Sequence, residues 1–165
     1  EDESRETFTY YPGNGFSKNS VAKTQTICLD SRKYNTVAYN IDDNNYFTLR
    51  DIAQILNGTI KTFDVKYDGA TNSIDMLSFY DYTSVGGELT PGDDVTRTAF
   101  SSSAFLTLDG VPIKATCYNI DGNNYFKLRD ITDALDCRVE WDDNNQLIWV
   151  VPSVPAYDDP NEAVG

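Results

Sequence analysis

Histidine is absent from this 165-residue chain, and that absence removes much of the chemistry an enzyme could perform. Ser–His and Cys–His nucleophile pairs are excluded, and so is a histidine copper site. Among the residues left for acid–base work are the carboxylate pairs Asp42-Asp43, Asp93-Asp94 and Asp142-Asp143. All three sit in predicted turns, so solvated turn positions explain them better than a proton-sharing pair does. Oxygen-rich loops also suit calcium, but Tyr46 falls where the loop pattern needs a ligand and Leu147 where it needs glycine. No metal and no cofactor is expected, and the chain reads as non-enzymatic.

Three cysteines, Cys28, Cys117 and Cys137, cannot complete a disulfide framework within one chain. Buried free thiols are the favoured reading, with a Cys117–Cys137 bridge as the alternative. Asn57-Gly58-Thr59 has the form of a glycosylation sequon, but it also supplies a helix stop, which is preferred.

Charge narrows the partners. The chain carries 26 acidic residues against 13 basic ones, so its surface repels a phosphate backbone or an anionic bilayer. No apolar run approaches the roughly 20 residues of a membrane span. Nucleic acid and membrane insertion are therefore not expected. A chain rich in Asn, Asp, Thr, Ser and Tyr leans toward an exported protein, extracellular or at the cell surface, whose leader has been removed.

The strongest pattern is internal. YNIDDNNYFTLRDIAQILN, residues 39–57, returns 79 positions later as YNIDGNNYFKLRDITDALD, with 13 of 19 positions identical. Two copies of one structural unit follow. In the first copy Val37, Tyr39 and Ile41 alternate, the polar tetrad Asp42–Asn45 turns the chain, and Tyr46–Thr48 resumes an apolar segment, which predicts a hairpin. Leu49, Ile52, Ile55 and Leu56 then fall at helical spacing, as do Leu128, Ile131 and Leu135. Thr48 and Asp51 resemble a capping box. A second hairpin follows each helix. The predicted fold is α+β: two tandem copies of a small ββαββ unit, each an antiparallel sheet packed around one short helix.

The predicted boundaries are an N-terminal tail or extra strand (1–24), the first repeat (25–79), a Gly-, Pro- and Ser-containing linker with room for a strand near Tyr80–Val85 (80–104), the second repeat (105–152) and a C-terminal tail (153–165). Arg50 and Arg129 each occupy the first turn of a helix, where the dipole disfavours a cation. Each is therefore expected to pin its helix to a sheet through an acidic side chain or backbone carbonyls. Arg50, Asp51, Arg129 and Asp130 are read together as a structural motif.

The two phrases, the segment SVGGEL and the ending VEWDDNNQLIWV resemble the stalk-type domain named after the N-terminal domain of copper amine oxidases, over about residues 25–152. The resemblance implies a small antiparallel sheet wrapped around one helix. It also implies a tandem module in a secreted or surface-attached protein of a Gram-positive bacterium. Oxidase chemistry is not implied, because the family's copper histidines and quinone-forming tyrosine belong to a separate catalytic domain. Phe47 and Phe126 also follow Tyr46 and Tyr125 where the quinone motif needs an acidic residue.

The expected function is thus a non-catalytic extracellular or cell-surface module that spaces, docks or binds another surface protein. The alternative is a module that binds carbohydrate or a cell-wall polymer through exposed aromatics. Tyr10, Tyr11, Tyr80 and Tyr82 lie outside the repeated phrase and are the aromatic ligand-contact candidates.

Overall fold

A computed structural model describes residues 17–157. The first half runs β1 (Ser17–Val21), β2 (Lys23–Leu29), β3 (Arg32–Ile41), β4 (Asn44–Thr48), α1 (Leu49–Leu56), β5 (Phe63–Asp68) and β6 (Ser73–Ser78). The second runs β7 (Thr96–Ser102), β8 (Phe105–Leu108), β9 (Val111–Pro112), β10 (Cys117–Ile120), β11 (Asn123–Lys127), α2 (Leu128–Ala134), β12 (Arg138–Asp142) and β13 (Leu147–Val151). Residues 81–95, where the linker had room for a strand, hold no regular element.

Local chemistry explains the pieces. Asp42 and Asp43 take φ of 52° and 65°, and Asp121 and Gly122 take 52° and 87°. Two successive positive φ values make the tight turn that matches strand twist, so the asparagines of each tetrad already belong to the next strand. The Thr48 hydroxyl accepts the Asp51 N–H at 3.2 Å and caps α1. Lys127 occupies the same place before α2 and gives no such cap. Neither helix is long and apolar enough to cross a membrane.

The predicted α+β architecture is corrected by the way these pieces assemble. The described chain is mostly β, and its strands form a nine-stranded sheet, β1-β7-β10-β11-β4-β3-β2-β13-β12, and a four-stranded sheet, β5-β6-β8-β9. There is no small antiparallel sheet wrapped around each helix. Parallel pairs, β2 with β13 and β6 with β8, join the first strand of one copy to the last strand of the other. Leu49, Ile52 and Leu56 share a single core with Leu128, Ile131 and Leu135, rather than filling two. A helix of eight residues or seven covers little apolar area, and so small a unit buries too little to stand alone. Interleaving lets each copy bury its apolar face against the other.

The interleaving has an internal two-fold. Phe47 lies opposite Phe126, and Asn19 lies opposite Thr98; both pairs are 79 positions apart, the spacing of the repeat itself. The parallel pairs match one another in the same way, with Ile27 opposite Ile148 and Leu106 opposite Ile74; Ile27 and Leu106 are 79 positions apart, and Ile74 and Ile148 are 74 apart because the second copy is five residues shorter after its helix. Around this axis the sheet curls until β1 reaches β3, where the Ser20 hydroxyl donates to the Asn40 carbonyl at 2.9 Å. Tyr39 and Tyr125 meet edge to face at 5.0 Å, and Tyr46 and Tyr118 do so at 5.2 Å, inside a second apolar cluster.

Symmetry fails at one strand. β3 runs for ten residues and takes part in pairings at both of its ends, whereas its counterpart is divided into β9 and β10. Pro112 has no N–H to extend the ladder, and that break leaves the four-stranded sheet separate.

Candidate functional site

The repeated Arg-Asp dipeptide builds its surroundings asymmetrically. Asp51 is buried, and its carboxylate accepts the Thr36 hydroxyl at 2.8 Å and the Leu89 N–H at 2.9 Å. Asp130 accepts the Thr116 N–H at 2.8 Å. Both aspartates tie the helix starts to neighbouring chain at shorter distances than the arginines do. Arg50 instead donates to the Tyr82 hydroxyl at 3.3 Å and lies 5.9 Å from the centre of its ring. Arg129 is exposed, with a long contact of 3.5 Å to the Val139 carbonyl.

Tyr82 relays Arg50 to an acid. Its hydroxyl donates to Glu88, whose carboxylate also accepts the Val85 N–H at 2.8 Å and the Gly86 N–H at 2.9 Å. The Tyr82 hydroxyl and these amides hold the Glu88 carboxyl down to about 2. Burial first, and then the bond to Glu88, push the Tyr82 phenol up to about 12. The SVGGEL segment is thus folded onto α1 by its own glutamate.

Two clefts of about 690 and about 680 Å³ flank the two-fold, and they are largely built from equivalent positions. Arg50 in the first corresponds to Arg129 in the second, Asn124 to Asn45, Ile74 to Ile148, and Tyr67 to Trp141. The register supports the last pair, since Tyr67 lies opposite Ile74 and Trp141 opposite Ile148. Each cleft takes its arginine from one copy and its asparagine turn from the other, so neither copy alone forms either cleft.

The clefts differ in what closes them. Val85, Glu88 and Pro91 form a wall of the first, and its cations are engaged there: Arg97 makes a two-pronged pair with Asp93 at 2.9 and 2.6 Å. The second has no such segment among its lining residues. It presents Trp141, 43% exposed, with Lys127, Arg129 and the amide side chains of Gln25, Asn40, Asn44, Asn45 and Gln146. Lys127 replaces Thr48 of the first copy. The Trp141 indole N–H donates to Asp143 at 3.3 Å.

The aromatic candidates from the sequence do not gather. Tyr82 is buried, Tyr80 is exposed but lines neither cleft, and Tyr10 and Tyr11 lie outside the described residues. Trp141 and Lys127 were not singled out, although the comparison of copies carried a signal: both stand where the copies differ. Cys28, Cys117 and Cys137 are free and buried, with no bridge between Cys117 and Cys137. Burial pushes the Cys117 thiol up to about 12 and that of Cys137 up to about 11. Asn57 accepts the Tyr82 N–H at 3.1 Å, a helix-end role. Among the described residues, no three Cys, Asp or Glu side chains converge as a metal site requires. No family model, curated protein or solved structure matches this chain.

Proposed function

We propose that the chain is a non-catalytic binding module of an extracellular or cell-surface protein, and that carbohydrate is its ligand in the second cleft. One observation carries the reading: an exposed indole, Trp141, stands on the wall of a cleft of about 680 Å³ among five amide side chains. An indole face receives the apolar face of a sugar ring, while amide oxygens accept from its hydroxyls. The volume lies in the range of small-molecule sites, roughly 300–1,000 Å³. The resemblance to surface-attached stalk domains fits such a place.

The chain has only two tryptophans, so W149F leaves fluorescence to Trp141 alone. Titrating that variant with soluble polysaccharides should quench its emission saturably, and W141A should abolish binding that W149A retains. Binding indifferent to W141A, or no binding by any glycan, rejects the reading.

A docking role has one observation in its favour. Ile60, Phe79 and Tyr80 are each more than 60% exposed, and the Phe79 N–H donates to the Thr62 carbonyl at 2.9 Å, bringing 79–80 beside 60–62. Exposed apolar side chains so grouped suit a contact with another surface protein. F79S would weaken such a contact and leave glycan binding untouched.

A further inference from the structure

We infer that the second cleft takes an acidic glycan, a uronate-bearing saccharide, whose carboxylate is held by Arg129 and Lys127. The inference rests on the carbohydrate reading and adds the chemistry of the sugar.

The internal two-fold allows one cleft to inform the other. In the first, the helix-start arginine has its acid supplied from within the chain, through Tyr82 to Glu88. In the second, Arg129 is exposed and its hydrogen bond is 3.5 Å long; Tyr157, whose hydroxyl donates to Asp133 at 2.7 Å, feels the Arg129 charge, but neither Arg129 nor Lys127 enters an ion pair among the described residues. A planar guanidinium beside an ammonium matches a carboxylate in geometry and charge. The cleft presents three cations, Lys23, Lys127 and Arg129, against the carboxylates Asp43 and Glu140. That excess stands out on a chain of net charge −13. Lys23 is committed at 3.4 Å to Asp94, which leaves Arg129 and Lys127 for the ligand.

A peptide resembling SVGGEL is the competing occupant, and backbone chemistry disfavours it. The first cleft holds that segment by two main-chain anchors: Asp51 accepts the Leu89 N–H, and the Val37 N–H donates to the Thr90 carbonyl at 2.8 Å. The corresponding groups in the second copy, Asp130 and the Thr116 N–H, are bonded to each other. Both main-chain anchors are closed, and the side-chain nitrogens of Gln25, Asn40, Asn44 and Gln146 already donate within the chain; what stays open is the Trp141 indole, amide oxygens and two cations.

The test is calorimetric titration of the full chain with a panel of uronate oligosaccharides and their methyl esters, which keep the rings and remove the charge. The acids should bind at least about tenfold more tightly than the esters, and added salt should weaken the acids alone. R129Q and K127Q should each lower affinity for the acids about tenfold or more and leave the esters unchanged, with W141A losing both. Equal affinity for acid and ester, or unchanged acid binding by R129Q, overturns the inference while the carbohydrate reading stands. Binding of neither sugar, or tight binding of the SVGGEL peptide in its place, overturns both.

Discussion

Phe47 and Phe126 lie directly opposite each other across the β4–β11 pair, and they are the same residue of the repeat met twice. Both are essentially inaccessible and belong to the core that both helices share. Opposed residues on an antiparallel pair have side chains in reach of one another. The contact therefore welds the copies at the point where the internal two-fold passes.

Replacing either phenylalanine with alanine should cost about 3–5 kcal/mol. In the double variant the losses should depart from additivity by about 0.5–3 kcal/mol, because the side chains are neighbours. Denaturant unfolding followed by both tryptophan fluorescence and circular dichroism should give one transition. Two separated transitions would mean that the copies are independent units after all.

Asp51 is the second target. Alanine there strands the Leu89 N–H and leaves the Thr36 hydroxyl only a 3.5 Å contact to the Thr90 carbonyl, and a buried polar group left unpaired costs about 1–3 kcal/mol. R129A removes an exposed side chain with one long contact and should stay within about 0.5 kcal/mol. Thermal unfolding of the two variants decides whether the acid or the base of the motif is structural; equal losses would restore the arginine to that role.

Acid should loosen the SVGGEL segment. The Glu88 carboxyl is held at about 2 by the Tyr82 hydroxyl, against an ordinary value of 4.5. A depressed folded-state value contributes stability above the unfolded value and loses it as pH falls through the folded one. The contribution should thus be whole at pH 7 and fade between about 4.5 and about 2. E88Q should melt below the parent protein at neutral pH, and the gap should close toward the acid end of that window. A gap independent of pH would assign the effect of the substitution to packing.

The candidate site was half legible. The Arg-Asp dipeptide could be found because it recurs, but which member is structural depends on burial. Asp51 is enclosed by Thr36 from β3 and Leu89 from the intervening segment, neither of which the motif itself announces. Trp141 read as one more strand aromatic, because nothing along the chain says that β12 borders the asparagine turn of the other copy.

By itself the sequence determined what is local. It set where the hairpins and helices form, β3–β4, α1 and β5–β6 in the first copy and β10–β11, α2 and β12–β13 in the second, but not the strands β2 and β8 that precede them, because alternation, helical spacing and turn-forming Asp, Asn and Gly act over a few residues. Tertiary structure alone decided which strands became neighbours. A strand edge offers the same N–H and C=O groups to any partner, and in a duplicated chain the strands of the two copies resemble one another. The pattern along the chain therefore cannot tell a copy's own last strand from its sibling's. The choice fell to burial: pairing β13 with β2 and β6 with β8 brings both helices into one core, and only the assembled molecule contains the face on which that decision is made.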